Sequence, residues 1–77
     1  MNMKIVDVTI HIDEEISISD QETLRDQLLH QNGVMAADCH DNTPHLMVVA
    51  YNPDITNSSQ FLNVIKSMNL HAELIGM

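Results

Sequence analysis

Residues 6–33 read VDVTIHIDEEISISDQETLRDQLLHQNG, and this stretch decides the fold. Val6, Val8, Ile10 and Ile12 alternate with Asp7, Thr9, His11 and Asp13. A period of two marks a strand with one face buried. Asp13-Glu14-Glu15 then breaks the alternation. Ser19-Asp20-Gln21-Glu22 has the form of a capping box. In it the Ser19 hydroxyl accepts from the Glu22 amide, and the Glu22 carboxylate reaches back to the Ser19 amide. Leu24 and Leu28, with Leu29 beside them, give the following helix its buried stripe. Gly33 supplies a left-handed residue to end it.

The same reading extends to the rest of the chain. Val34 to His40 is a second strand, and Asp41-Asn42-Thr43-Pro44 is rich in turn formers. His45 to Tyr51 is a third strand, whose apolar run from Leu46 predicts a central place covered on more than one face. Asn52-Pro53-Asp54 stops it. Asn57 is the expected N-cap of a second helix, in which Phe61, Val64, Ile65 and Met68 share one face. Leu70 to Met77 forms the last strand, with Leu70, Ala72 and Leu74 inward. The order is β-α-β-β-α-β. With right-handed connections this α+β chain builds a four-stranded antiparallel sheet, order 4-1-3-2, with both helices on one face.

Composition bounds the function. The chain has 77 residues, enough for a single domain spanning 1–77. Eleven acidic residues against three basic ones (Lys4, Arg25, Lys66) give a net charge of −8. Such a surface repels phosphate backbones and anionic headgroups, which argues against nucleic acid and membranes as partners. Basic protein surfaces and cations suit it better. Cys39 is the sole cysteine, so no internal disulfide forms, in keeping with a reducing compartment. No secretory h-region and no apolar run of membrane-spanning length is seen, so the expected location is the cytoplasm. No nucleophile elbow, phosphate loop or paired buried carboxylates point to catalysis. The chain is expected not to be an enzyme.

From Val6 to Ile75 the chain resembles the heavy-metal-associated domain of copper chaperones and of metal-transporting P-type ATPase tails. The landmarks are Leu24 and Leu28, Gly33-Val34, the strand end Val49…Tyr51-Asn52-Pro53, Phe61, Ile65, and Asn69 where that family usually has Gly. The resemblance implies a ferredoxin-like βαββαβ sandwich. It also locates the family's Met-x-Cys-x-x-Cys loop, which binds soft ions through thiolates. Here Glu15 falls at the methionine position, and Ser17 and Asp20 fall at the cysteine positions. The resemblance therefore implies the fold without the soft-metal site.

Four groups of residues are candidates for function. Cys39 sits in Asp38-Cys39-His40, but on a strand its side chain points inward while Asp38 and His40 point outward. Cys39 thus reads as a small buried hydrophobe rather than a ligand. His11 and His71 are expected to face each other across strands one and four, with His40 at the same end of the sheet. Such a pair, with His40 or a nearby acid, suits Zn(II), Cu(II) or Ni(II), although solvated surface histidines are the plainer reading. Asp13, Glu14, Glu15, Ser17, Asp20, Asp41, His45 and Asn69 are expected at one end of the domain. Those oxygens suit a hard cation or, more plainly, helix capping. Ile5, Thr9, Leu46, Val48, Ala50 and Ile75 form an apolar outer sheet face, a docking surface for a protein partner or for a homodimer. The expected function is a binding or adaptor module of metal homeostasis acting through that face. The alternative is a metal site relocated to the histidines. The six methionines read as gap-filling core residues and chain ends.

Overall fold

The computed structural model describes residues 4–40 and 43–76, with the side chains of His40, Thr43, Pro44 and Gly76 outside the description. The elements are β1 (Val6–Ile12), α1 (Ile18–Leu29), β2 (Val34–His40), β3 (Thr43–Tyr51), α2 (Ser58–Ser67) and β4 (Ala72–Gly76). The sheet is antiparallel in the order β2-β3-β1-β4, as the helix and strand pattern predicts. Asp41 and Asn42 of the expected hairpin lie outside the described residues. No helix among the described residues is long and apolar enough to cross a membrane.

The core follows from the alternation. Val8, Ile10 and Ile12 of β1, Met47, Val49 and Tyr51 of β3 and Ala37 of β2 meet Leu24, Leu28, Phe61 and Ile65 of the helices in one cluster. The Tyr51 and Phe61 rings meet edge to face, 4.9 Å between centroids, a favoured aromatic geometry. Arg25 of α1 ties the helix to the sheet edge, its Nε donating to the Ala37 carbonyl at 2.9 Å.

Several expectations need correction. The N-cap of α1 is Ser17, whose hydroxyl accepts from the Asp20 amide at 3.1 Å. Ser17-x-x-Asp20 satisfies the same capping chemistry as Ser19-x-x-Glu22 and starts the helix two residues sooner. The C-cap of α1 is His30, so Gly33 lies beyond the helix end. Gly33 is left-handed, with φ 95°, and a Cβ there would lie 2.8 Å from Ile55 Cβ. Its place is a turn pressed against the β3–α2 loop. Strand β3 is central, but Leu46, Val48 and Ala50 are only half-buried on the face away from the helices. Sheet neighbours shield them edgewise and no second layer of described residues covers them. Strand β4 begins at Ala72 rather than Leu70. Asn69 is left-handed, with φ 63°, and the Leu70 amide donates back to the Ile65 carbonyl, so these two residues close α2. Leu74 pairs with Ile10 yet stays 39% exposed, because β4 is the sheet edge.

Candidate metal centre

The late start of β4 sets the register on which the candidate site depends. Because Ala72 pairs with Ile12, His11 stands opposite Glu73. His71 instead lies beside Asp13, its carbonyl accepting from the Asp13 amide at 2.8 Å. The expected His11–His71 pair is therefore displaced by two residues. A shift of two preserves the face, so His11, Asp13 and Glu73 converge on the sheet face away from the helices.

One donor atom from each of His11, Asp13 and Glu73 lies within 4.8 Å of the others. The His11 ring is partly exposed, but its Nδ1 is screened from solvent and makes no hydrogen bond. That nitrogen is 3.2 Å from Asp13 Oδ1. In a tetrahedral zinc site, bonds of about 2.0–2.1 Å put neighbouring ligand atoms about 3.3 Å apart. His11 and Asp13 are already at that spacing. The widest of the three separations would need to close by at most about 1.5 Å to reach it. An imidazole with two carboxylates suits borderline divalent ions and not Cu(I).

His45 joins this end from β3. Its Nδ1 is 3.0 Å from the Ile12 carbonyl, and its ring stacks on His11 with centroids 6.0 Å apart.

The other sequence candidates find different partners. His71 turns to Glu14, whose Oε2 meets its Nδ1 at 2.6 Å while Oε1 accepts the His71 amide at 2.8 Å. This hydrogen bond from Glu14 raises the His71 pKa, and the His71 side chain in turn lowers that of Glu14. The signs define a window. The pair is complete above the ordinary Glu14 value of 4.5 and below the ordinary imidazole value of 6.5. It is lost as pH rises through the raised His71 midpoint, and also as pH falls through the lowered Glu14 midpoint. We expect the His71 ring protons to titrate above 6.5 in NMR, and Glu14→Gln to move the midpoint back toward it. An unchanged midpoint in Glu14→Gln would contradict the pairing.

His40 ends β2, two strand spacings or about 10 Å from β1, and its side chain lies outside the described residues. Cys39 is half-buried against the core, and burial followed by the charge of Asp38 pushes its thiol up. A thiol so raised stays protonated at neutral pH and is a poor metal ligand. Glu15, Ser17 and Asp20, aligned with the family's soft ligands, are exposed, and Ser17 and Asp20 are engaged in the α1 cap.

Of the docking residues expected from the sequence, Thr9, Leu46, Val48 and Ala50 lie on the outer face. Thr9 pairs with Val48, and Leu46 and Ala50 stand opposite His11 and Asp7. Ile5 and Ile75 are 46% and 53% exposed. Carboxylates of Asp7, Asp38 and Glu73 interrupt this apolar surface, opposite Ala50, Val48 and His11.

Comparison with solved structures places the architecture. The chain superposes on a copper-binding domain of HMA7, a P-type ATPase, with TM-score 0.81 at 14% identity, covering 91% of this chain and 93% of that one. Oxidized MerP from Ralstonia metallidurans CH34 gives 0.81 at 14%, over 92% and 97%. The N-terminal domain of a potential copper-translocating P-type ATPase from Bacillus subtilis, in its Cu(I)-loaded state, gives 0.82 at 17%, over 91% and 86%. The fold is that of the heavy-metal-associated domains. At such identities the likeness concerns the fold alone. No protein-family model matches the chain, and no curated protein matches it significantly.

Sequence reasoning named His11 and allowed an acidic neighbour, but did not identify Asp13 and Glu73 as its companions. The signal for Asp13 was its i+2 spacing from His11 on one face of a strand. Glu73 has the same relation to His71, but only the register makes it a neighbour of His11.

Proposed function

We propose that this domain is a non-catalytic metal-binding module. It holds one divalent transition ion (Zn(II), Ni(II) or Cu(II)) at His11, Asp13 and Glu73, in place of soft-metal carriage by paired thiolates. The observation that carries the reading is the convergence of an imidazole and two carboxylates within 4.8 Å across the ends of β1 and β4. The net charge of −8 favours cation capture from solution. The fold likeness to copper-binding domains makes metal handling the natural setting. Titrating tag-free protein with Zn(II), Ni(II), Cu(II) and Cu(I), with native mass and melting as readouts, tests it. One divalent ion per chain is expected, with Kd of about a micromolar or tighter. At 100 Kd such an ion adds about 2.7 kcal/mol to stability. An unchanged mass and melting temperature with every divalent ion would sink the proposal.

The outer face supports a second reading, an adaptor surface. Half-buried Leu46, Val48 and Ala50 with exposed Ile5 and Ile75 form an apolar field edged by carboxylates. That pattern fits a protein partner with an apolar centre and a basic rim better than a second copy of this acidic chain. Sedimentation equilibrium separates the two. A dimer abolished by Val48→Asp assigns the face to a second copy, and a monomer at all concentrations leaves it to a different protein.

A further inference from the structure

We infer that His45 is the fourth ligand of this centre, through Nε2. The donor set is then two imidazoles and two carboxylates, a tetrahedral site for an ion of the zinc class. The inference rests on the metal-binding reading above and adds both a residue and a selectivity to it.

The tautomer carries the argument. A carbonyl oxygen can only accept, so the 3.0 Å contact between His45 Nδ1 and the Ile12 carbonyl requires the proton on Nδ1. In the neutral ring the lone pair is then on Nε2. This is how metal-binding histidines are held elsewhere, with the non-ligating N–H donated to a backbone carbonyl that fixes the ring. The carbonyl belongs to Ile12, the residue between His11 and Asp13, so the anchor of His45 and two of the ligands share one stretch of β1.

Position is close without being ligating: His45 stands against His11 but does not join the other three donors within 4.8 Å. Two imidazoles on one tetrahedral ion, with bonds of about 2.0–2.1 Å, have ring centroids about 5 Å apart. The His11 and His45 centroids are 6.0 Å apart. To ligate, the half-buried His45 ring must approach by about 1 Å and also turn about its Nδ1–Ile12 hydrogen bond out of the 24° stack, so that Nε2 faces the ion. The four donors come from three adjacent strands, β3, β1 and β4, together with Asp13 just past β1. Two carboxylates neutralise a divalent charge. The set holds no sulfur for Cu(I), and it has too few oxygens for Ca(II) or Mg(II), which favour six or more oxygen ligands.

Co(II) is the probe, because four-coordinate Co(II) absorbs strongly in the visible and six-coordinate Co(II) weakly. The wild-type chain is expected to give intense visible bands at one equivalent. These should be displaced by Zn(II) and unaffected by excess Mg(II) or Ca(II). His45→Ala is expected to weaken Co(II) binding at least about tenfold and to collapse the bands. Imidazole nitrogen NMR of the wild-type chain gives a second readout that needs no variant. On Zn(II) addition the His45 Nε2 resonance should move while Nδ1 stays protonated. If Co(II) binds with dependence on His11, while His45→Ala changes neither spectrum nor affinity and the His45 nitrogens do not respond, the fourth ligand is wrong and the three-residue site stands. If neither Co(II) nor Zn(II) binds, both readings fail together.

Discussion

Phe61→Ala is expected to remove about 3–5 kcal/mol of folding stability. Phe61 is fully buried, is the only phenylalanine, and sets its ring edge to face with Tyr51 at 4.9 Å. It thereby joins α2 to the C-terminal end of β3 at the centre of one cluster. A domain this small buries only about 60% of its unfolded surface, and total stabilities of about 5–15 kcal/mol are usual. The variant should therefore be partly unfolded near room temperature. Phe61→Leu retains most of the volume and should cost far less, about 1.5 kcal/mol or below. Urea denaturation of both variants measures this. A Phe61→Ala cost under about 1 kcal/mol would mean that the cluster is not the core it is taken to be.

His11→Ala is expected to weaken divalent transition-metal binding about 100-fold, equivalent to about 2.7 kcal/mol of binding free energy. His11 supplies the only nitrogen among the three converging donors. Without it the converging set falls to the exposed carboxylates of Asp13 and Glu73, with His45 as the one imidazole left nearby, a weaker set for transition ions. The His11 side chain lies on the outer face and contributes nothing to the apolar cluster, so the fold should be unaffected. Isothermal titration with Zn(II) measures the change. His30→Ala is the control, because His30 sits at the end of α1 with its ring bonded to the Asp26 carbonyl. Equal losses in both variants would indicate binding to scattered surface histidines and contradict the assignment.

The elements themselves were legible in the sequence because local chemistry determines them. Alternation set β1, the Phe61 and Ile65 stripe set the buried face of α2, and Asn57 caps that helix by accepting from the Gln60 amide. Two nearly equivalent signals defeated the prediction of the α1 start, since Ser17 and Ser19 each precede an acid by three residues. The site was legible only in part, for a geometric reason. Which side of the sheet a residue faces is a local property, and His11 and His71 were both read onto the outer face by parity. Register is not local. It depends on how many residues α2 consumes in closing, and the left-handed Asn69 with the Leu70–Ile65 hydrogen bond takes two more than the apolar pattern suggested. That replaced His71 with Glu73 opposite His11 and changed a two-histidine expectation into a histidine with two carboxylates. His45 was placed near the acids at one end of the domain, but its stacking on His11 depends on the β1–β3 pairing.

The central claim is that a metal ion binds at the outer-face end of β1 and not in the β1–α1 loop, where the resemblance to heavy-metal-associated domains would put a soft-metal site. Backbone amide NMR during Zn(II) titration tests it most directly, since each position reports separately. The account predicts saturable shifts at one equivalent, concentrated at His11 to Asp13, at His45 and at Glu73, with Ser17 to Asp20 and Cys39 little changed. Shifts centred on Ser17 to Asp20 or on Cys39, or shifts that grow without saturation across every histidine, would contradict it.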